Sequence, residues 1–235
     1  MKGTLWLIPN VLDDGDPEKI LTAHALEKVR TLRFFIVENE KSARRFLVRI
    51  GMKEFLESIE WAILDEHTRS RDLPDIIKPI LEGQDAGVLS ESGCPGIADP
   101  GSDIVRMAHQ AGIRVKPLVG PSSVVLSLMA SGLGGQRFAF LGYLPAKPND
   151  RVKKIREIEQ RSKSAGETQI FIEAPYRNIQ LFQDLVRNLH PETWLSLSVE
   201  LTSEEESIKT MKVWEWAGKQ PDIHKKRVVF LVSAN

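Results

Sequence analysis

Leu89-Ser90-Glu91-Ser92-Gly93-Cys94-Pro95-Gly96-Ile97-Ala98-Asp99-Pro100-Gly101 is the stretch on which the fold of this chain turns. It follows an apolar run, Ala86-Gly87-Val88-Leu89, that predicts a buried strand, and it leads into a helical pattern from Ser102-Asp103 with Ile104, Val105, Met107 and Ala108 on one side. A strand, a glycine-rich loop and a helix are the parts of a ligand cradle. Glycines let the backbone turn sharply and come close to a ligand, and prolines stiffen the turns. A plain connection would use the same residues for turning alone, but this loop is long for a strand-to-helix link. Its glycines and small polar residues, Ser92, Gly93 and Gly96 among them, are therefore read as facing a ligand.

Upstream, Thr4–Ile8 reads as a first buried strand, and Asp16-Pro17 as the N-cap and first residue of a helix running through Ile20, Leu21, Ala25, Leu26 and Val29. Phe34–Val37 is a second strand, ending at Glu38-Asn39-Glu40. A basic helix over 42–50 comes next, then a short strand at 61–64, a polar loop with His67, and a helix from Pro74 to Leu81. Downstream, Ile113–Val119 is a strand, and Gly120-Pro121-Ser122-Ser123 leads straight into an apolar helix that Ser122 or Ser123 would cap. Strands alternating with helices predict a mostly parallel sheet covered on both faces.

Beyond Gly135 the pattern changes. Strands are expected at 138–141, 168–172, 194–199 and 227–232, with a charged helix over 148–164, a helix over 179–189 and a short one at 213–216. Glu173-Ala174-Pro175-Tyr176-Arg177 and Glu200–Glu206 follow two of those strands. The reading is two α/β domains, residues 1–119 with a mostly parallel sheet and residues 120–235 with a mixed one.

The chain has 235 residues, 42% of them hydrophobic, and 32 basic residues balance 32 acidic ones, so bulk electrostatic capture of nucleic acid is not expected and any RNA contact has to be local. A single cysteine, Cys94, offers neither a disulfide framework nor a cysteine metal site. The apolar run Leu5–Ile8 is stopped by Pro9, too short for a signal segment or a membrane span, and a cytoplasmic location is expected. There is no phosphate-loop pattern, no Gly-x-Gly-x-x-Gly after the first strand, and no His-Glu-x-x-His. The five histidines lack metal-ligand spacing, so no metal is expected.

Ser90–Gly101, then Pro117–Ser123, Ala130–Leu133, Arg137-Phe138, Gly142–Pro145, Ile170–Arg177 and Glu200–Thr202, taken in that order, resemble the tetrapyrrole methylase superfamily. Within it, the small-subunit ribosomal RNA cytidine 2′-O-methyltransferases are the nearest likeness. The resemblance implies an S-adenosylmethionine-dependent methyltransferase, a homodimer, with the cofactor in a cleft between two domains and ribosomal RNA or the small ribosomal subunit as partner. It places Cys94, Ile97, Ala98, Ser122 and Ser123 against the cofactor, with Pro9, Ile172, Leu201 and His224 completing the pocket. A fold-mate acting on a tetrapyrrole, another small molecule or a modified protein side chain is the alternative, as is a binding protein without turnover.

Methyl transfer to a hydroxyl gains from a general base. Glu173 and Glu200 are the first candidates because both follow strands; Glu38, Arg44, His67 and Arg177 are the substrate-side candidates. The family's first loop usually reads Pro-Thr-Pro-Ile-Gly-Asn-Leu, against Ile8-Pro9-Asn10-Val11-Leu12-Asp13-Asp14 here. Its Glu-Asp-Thr-Arg becomes Glu38-Asn39-Glu40-Lys41, and its Lys-Gly-Glu becomes His224-Lys225-Lys226-Arg227. Two basic stripes, 147–163 with seven basic residues against three acidic ones and Lys41, Arg44, Arg45 and Arg49, are the local surfaces where RNA phosphate is expected.

Overall fold

The computed structural model describes residues 1–65, 68, 72–98 and 101–234, and divides into two units, Met1–Ser122 and Ser123–Asn235. The first runs β1 (Thr4–Ile8), α1 (Pro17–Ile20), α2 (Ala23–Thr31), β2 (Phe34–Val37), α3 (Glu40–Arg49), a 3-10 turn at Lys53–Ser58, β3 (Glu60–Ile63), α4 (Leu73–Leu81), β4 (Ala86–Leu89), α5 (Ser102–Gln110) and β5 (Arg114–Pro117). Its five strands are all parallel, in the order β3-β2-β4-β1-β5. β2 and β4 are buried along their whole length, as the unbroken runs Phe-Phe-Ile-Val and Ala-Gly-Val-Leu require of strands covered on both faces.

Two apolar clusters form those covers. One gathers Ala25, Leu26 and Val29 of α2 and Phe46 and Leu47 of α3 against Ile8 and Phe35. The other gathers Ile77 and Ile80 of α4 and Ile104 and Ala108 of α5 against Leu5, Ile36 and Val88. Chain leaving β1 therefore goes to one face and chain leaving β4 to the other, and these two strands are neighbours. Such a reversal opens a crevice at the carboxyl ends of the strands, the place where open α/β sheets bind ligands.

Sequence and structure differ here in three places. The single helix expected from Pro17 to Val29 is two, because Leu21 is extended and buried while Thr22 caps α2 by accepting from Ala25 N at 3.2 Å. The basic helix starts earlier, at Glu40, because the Asn39 side chain accepts from the Lys41 and Ser42 amides. The strand expected over 113–119 keeps only Arg114–Pro117.

The second unit runs α6 (Ser123–Ser131), β6 (Phe138–Tyr143), α7 (Pro148–Ala165), β7 (Thr168–Ile172), a 3-10 turn at Pro175–Arg177, α8 (Asn178–Asn188), β8 (Trp194–Val199), β9 (Ser207–Lys212), α9 (Val213–Trp216) and β10 (Val228–Ser233). Its sheet is mixed, in the order β6-β7-β10-β8-β9, with β6 and β7 parallel and the other pairs antiparallel. Ile155 and Ile158 of α7 and Leu181 and Leu185 of α8 pack on Phe171, Leu197 and Phe230. The edge strand β9 is missing from the sequence reading, since Met211 alone of its six residues is fully buried and no apolar run marks it. β6 carries a bulge: Phe140 pairs with Ile170 and Tyr143 with Ile172, and Gly142 within it has φ +66°.

Candidate functional site

Three loops of the first unit converge beyond the carboxyl ends of β1, β4 and β5. The residue that ties them is Asn10, 8% exposed. Its backbone exchanges two hydrogen bonds with Gly93, N to O at 2.8 Å one way and 3.2 Å the other. Its side-chain amide donates to Ser90 O and Glu91 O, both at 3.2 Å, and its side-chain oxygen accepts from Val11 N at 2.8 Å. The third loop closes on the first through Gly120, where a Cβ would lie 2.2 Å from Pro9 Cγ. Only glycine permits that approach.

The central loop keeps its shape by local bonds. The Ser90 hydroxyl donates to Ser92 O at 3.0 Å, and the Cys94 thiol donates to Pro121 O at 3.3 Å. Burial pushes the Cys94 thiol up, which favours its protonated form. Gly93 and Gly96 have φ of +72° and +76°, and Ala98 takes φ +59°, a conformation that disfavours any side chain. Beyond this strained turn the surface is apolar and uncovered: Ile97 is 51% exposed and Val119 72%. Pro9, Ser92, Gly93, Cys94, Gly96, Ile97, Ala98 and Ser122 therefore share one edge of one sheet, and Ser123 opens α6 directly after it.

In the second unit the expected residues sit at two strand ends. Ile172 ends β7, and Glu173 follows it, 4% exposed. Glu173 Oε1 accepts from Ala174 N at 2.7 Å and from Arg177 Nε and Nη2 at 2.9 and 2.6 Å. Glu173 Oε2 is buried with no hydrogen-bond partner among the described residues. The hydrogen bond to Glu173 raises the Arg177 guanidinium further above its usual range. Glu200 follows β8 with φ +47° and is differently employed. Its Oε1 accepts from Arg227 N at 2.6 Å, and its Oε2 from Arg227 Nε and Nη2 at 2.9 and 2.5 Å. Burial pushes this carboxyl up, but the Arg227 bonds outweigh burial and hold it below its usual range. Leu201 is buried behind it, and His224 is exposed on the turn before β10.

On the substrate side, Glu38 is exposed at the end of β2, and Arg44 is engaged by Glu40 at 2.7 Å and lies 5.2 Å from the Trp61 ring centre. His67 lies outside the described residues. A depression of about 170 Å³ lies between the first loop and α3, lined by Asn10, Asp13, Ser42, Arg45, Arg49 and Glu91 among others. Three of the seven basic residues of the stripe expected over 147–163 are engaged in ion pairs within their own unit. Arg151, 1% exposed, pairs with Asp184 at 2.6 Å, Arg161 with Glu167 at 2.5 Å and Lys154 with Glu157 at 2.8 Å.

The departures from the family pattern have structural work. Asn10 clamps the loops, Asn39 caps α3, and Arg227 holds Glu200. Sequence reasoning met these three only as departures and gave none of them a role, because a single polar residue in a loop carries no periodicity.

No protein-family model matches the chain. It is 31% identical over 232 residues to ribosomal RNA small subunit methyltransferase I of Vibrio cholerae, covering 97% of this chain and 76% of that protein. It is 30% identical to the protein of the same name from Escherichia coli, covering 100% of this chain and 79% of the relative. Among solved structures, that of the methyltransferase CobJ superposes with a TM-score of 0.66 at 15% identity, over 98% of this chain and 94% of the other. That of uroporphyrin-III C-methyltransferase from Thermus thermophilus gives 0.53 at 18% identity, over 100% and 93%. At these identities the two structures share the fold.

Proposed function

We propose, because the chain belongs to the ribosomal RNA small subunit methyltransferase I family, that it transfers a methyl group from S-adenosylmethionine to a ribose 2′-hydroxyl of small-subunit ribosomal RNA. The observation that carries this is the likeness to those relatives along 97% or more of the chain. The residues present fit the methyl donor. The uncovered Ile97 and Val119 offer an apolar seat for an adenosyl group, and the turn Gly93–Ala98, with positive φ at Gly93, Gly96 and Ala98, lies at the same edge. Bound there, S-adenosylmethionine would supply an activated methyl group on a positively charged sulfur.

Pro9, Ser92, Gly93, Cys94, Gly96, Ile97, Ala98 and Ser122 would hold the donor, with Ser123 beside them. Ile172, Leu201 and His224 are assigned to the same role by the resemblance. The protein's own contribution is alignment and proton handling. Between the two carboxylates, Glu173 is the one with an oxygen left for a donor on the substrate. A buried carboxylate oxygen without a donor is costly unless a ligand supplies one, and Glu173 Oε2 is such an atom. Glu173 would hold at Oε2 the proton that the acceptor hydroxyl loses, with Arg177 fixing the carboxylate. Glu200, saturated by Arg227, would shape the turn before Leu201.

Purified protein given methyl-labelled S-adenosylmethionine and small ribosomal subunits is expected to put label into RNA, recovered after digestion as a 2′-O-methylated nucleoside. Label in protein or in a small molecule instead would replace the acceptor. Ala98→Trp tests the seat: S-adenosylhomocysteine binding, read by calorimetry, is lost while the melting temperature stays put, since Ala98 is exposed.

A further inference from the structure

We infer that Tyr143 and Tyr176 form a stacking platform for unpaired bases of the RNA substrate, with Arg177 and Lys225 as its cationic rim. This rests on the RNA methyltransferase reading and names the part of the second unit that would meet the acceptor strand. The chain has two tyrosines in 235 residues. Both are exposed, at 62% and 66%, and both lie at the carboxyl ends of adjacent parallel strands, Tyr143 closing β6 and Tyr176 four residues beyond β7. Large aromatic rings left this open gain nothing for the fold, and their π-faces are the surfaces on which splayed-out RNA bases stack.

The charge around them matches. The Arg177 guanidinium lies 5.2 Å from the Tyr176 ring centre while it holds Glu173 bidentately, so the cation is fixed over an aromatic face. The basic turn before β10 is tied to the same segment, because Lys225 N donates to Pro175 O at 3.1 Å. On that turn Lys226 is spent on Asp222 and Glu205, and Arg227 on Glu200. Lys225 is exposed and makes no ion pair among the described residues, which leaves it for a phosphate.

The test measures anisotropy of a labelled, unstructured twelve-nucleotide RNA of mixed pyrimidines with wild type, Tyr143→Ala, Tyr176→Ala and the corresponding Phe variants. S-adenosylhomocysteine affinity and melting temperature serve as controls on folding. Each Ala variant is expected to bind RNA about tenfold more weakly, while Phe variants stay within about twofold, because stacking needs the ring and not the hydroxyl. In turnover with small subunits the Ala variants raise KM more than they lower kcat. If wild type binds the RNA and the Ala variants bind it equally well, the platform is overturned while the methyltransferase reading stands. If the Ala variants leave RNA binding intact and instead dissociate an oligomer, the face belongs to a second copy and the inference also fails. Wild type that neither binds nor labels RNA defeats the underlying reading itself.

Discussion

Asn10 does at a single position what a short strand would do elsewhere. Five hydrogen bonds join its backbone and side chain to Gly93, Ser90, Glu91 and Val11. Removing the amide leaves the Ser90 and Val11 backbone groups to find other partners in a buried setting, which costs about 1–3 kcal/mol. Asn10→Ala should lower the unfolding free energy measured in urea by that amount and weaken S-adenosylhomocysteine binding, while Asn10→Asp should keep the bond from Val11 and lose those to the two carbonyls. Glu200 makes a different prediction. Its carboxyl sits below its ordinary value of 4.5 in the folded protein, so the unfolded chain binds more protons in that region and stability rises with pH there. The contribution is complete at neutral pH and is lost as pH falls from about 4.5 through the lower folded value. Glu200→Gln should therefore flatten the acid limb of the stability curve and leave kcat at pH 7–8 close to that of wild type.

Among the elements, the crevice is made by loops that touch through missing side chains. At Gly120 a Cβ would fall 2.2 Å from Pro9 Cγ and 2.4 Å from Pro9 Cβ, both in a rigid ring. Gly120→Val has to part the first and third loops, and overpacking of this kind costs about 1–3 kcal/mol. The expected result is a lower melting temperature together with a loss of donor affinity larger than that of a distant variant of equal stability. The elements themselves were largely legible in sequence, for stated reasons. Phe34–Val37 and Ala86–Leu89 are unbroken apolar runs of strand length, and Asp16-Pro17 is a helix start that the structure keeps, with Asp16 accepting from Glu18 N. The helix break at Leu21 was hidden because Leu21 is apolar and fits the helical period, and β9 because an edge strand buries little. Glycines announced the cradle, whereas the Asn10 clamp and the partner of each glutamate depend on chain segments roughly 25 to 80 residues away or on one side chain's rotamer, which no local pattern encodes.

Taken whole, the chain is two units with separate cores. The apolar cluster of the second draws on residues 144–232, and the two clusters of the first draw on residues 5–118. A core that closes within its own stretch of sequence is the condition for independent folding. Fragments 1–122 and 123–235 expressed separately should each give a cooperative melt with native-like circular dichroism, and Gly120→Val should lower the melting temperature of the first. The neutral charge balance also bears on binding at this scale. With Arg151, Lys154 and Arg161 of α7 already paired, RNA affinity should depend less steeply on salt than that of a strongly basic protein, since each neutralised phosphate adds about −0.7 to the slope for single strands.

The bulge in β6 amounts to a change of phase. A strand deals its side chains alternately to two faces, so facing is set by parity along the chain, and one extra residue reverses that parity for everything after it. Up to Phe140 the alternation is regular; with Gly142 in place, Tyr143 pairs with Ile172 and shares a face with Phe138 and Phe140 instead of opposing them. Deleting Gly142 would put Tyr143 two places after Phe140 and keep it on that side of the sheet, whereas straightening the bulge with every residue kept would deal the tyrosine to the opposite one. Which surface this protein shows at that edge is thus decided by a count, odd or even, and by one residue that contributes no side chain to it.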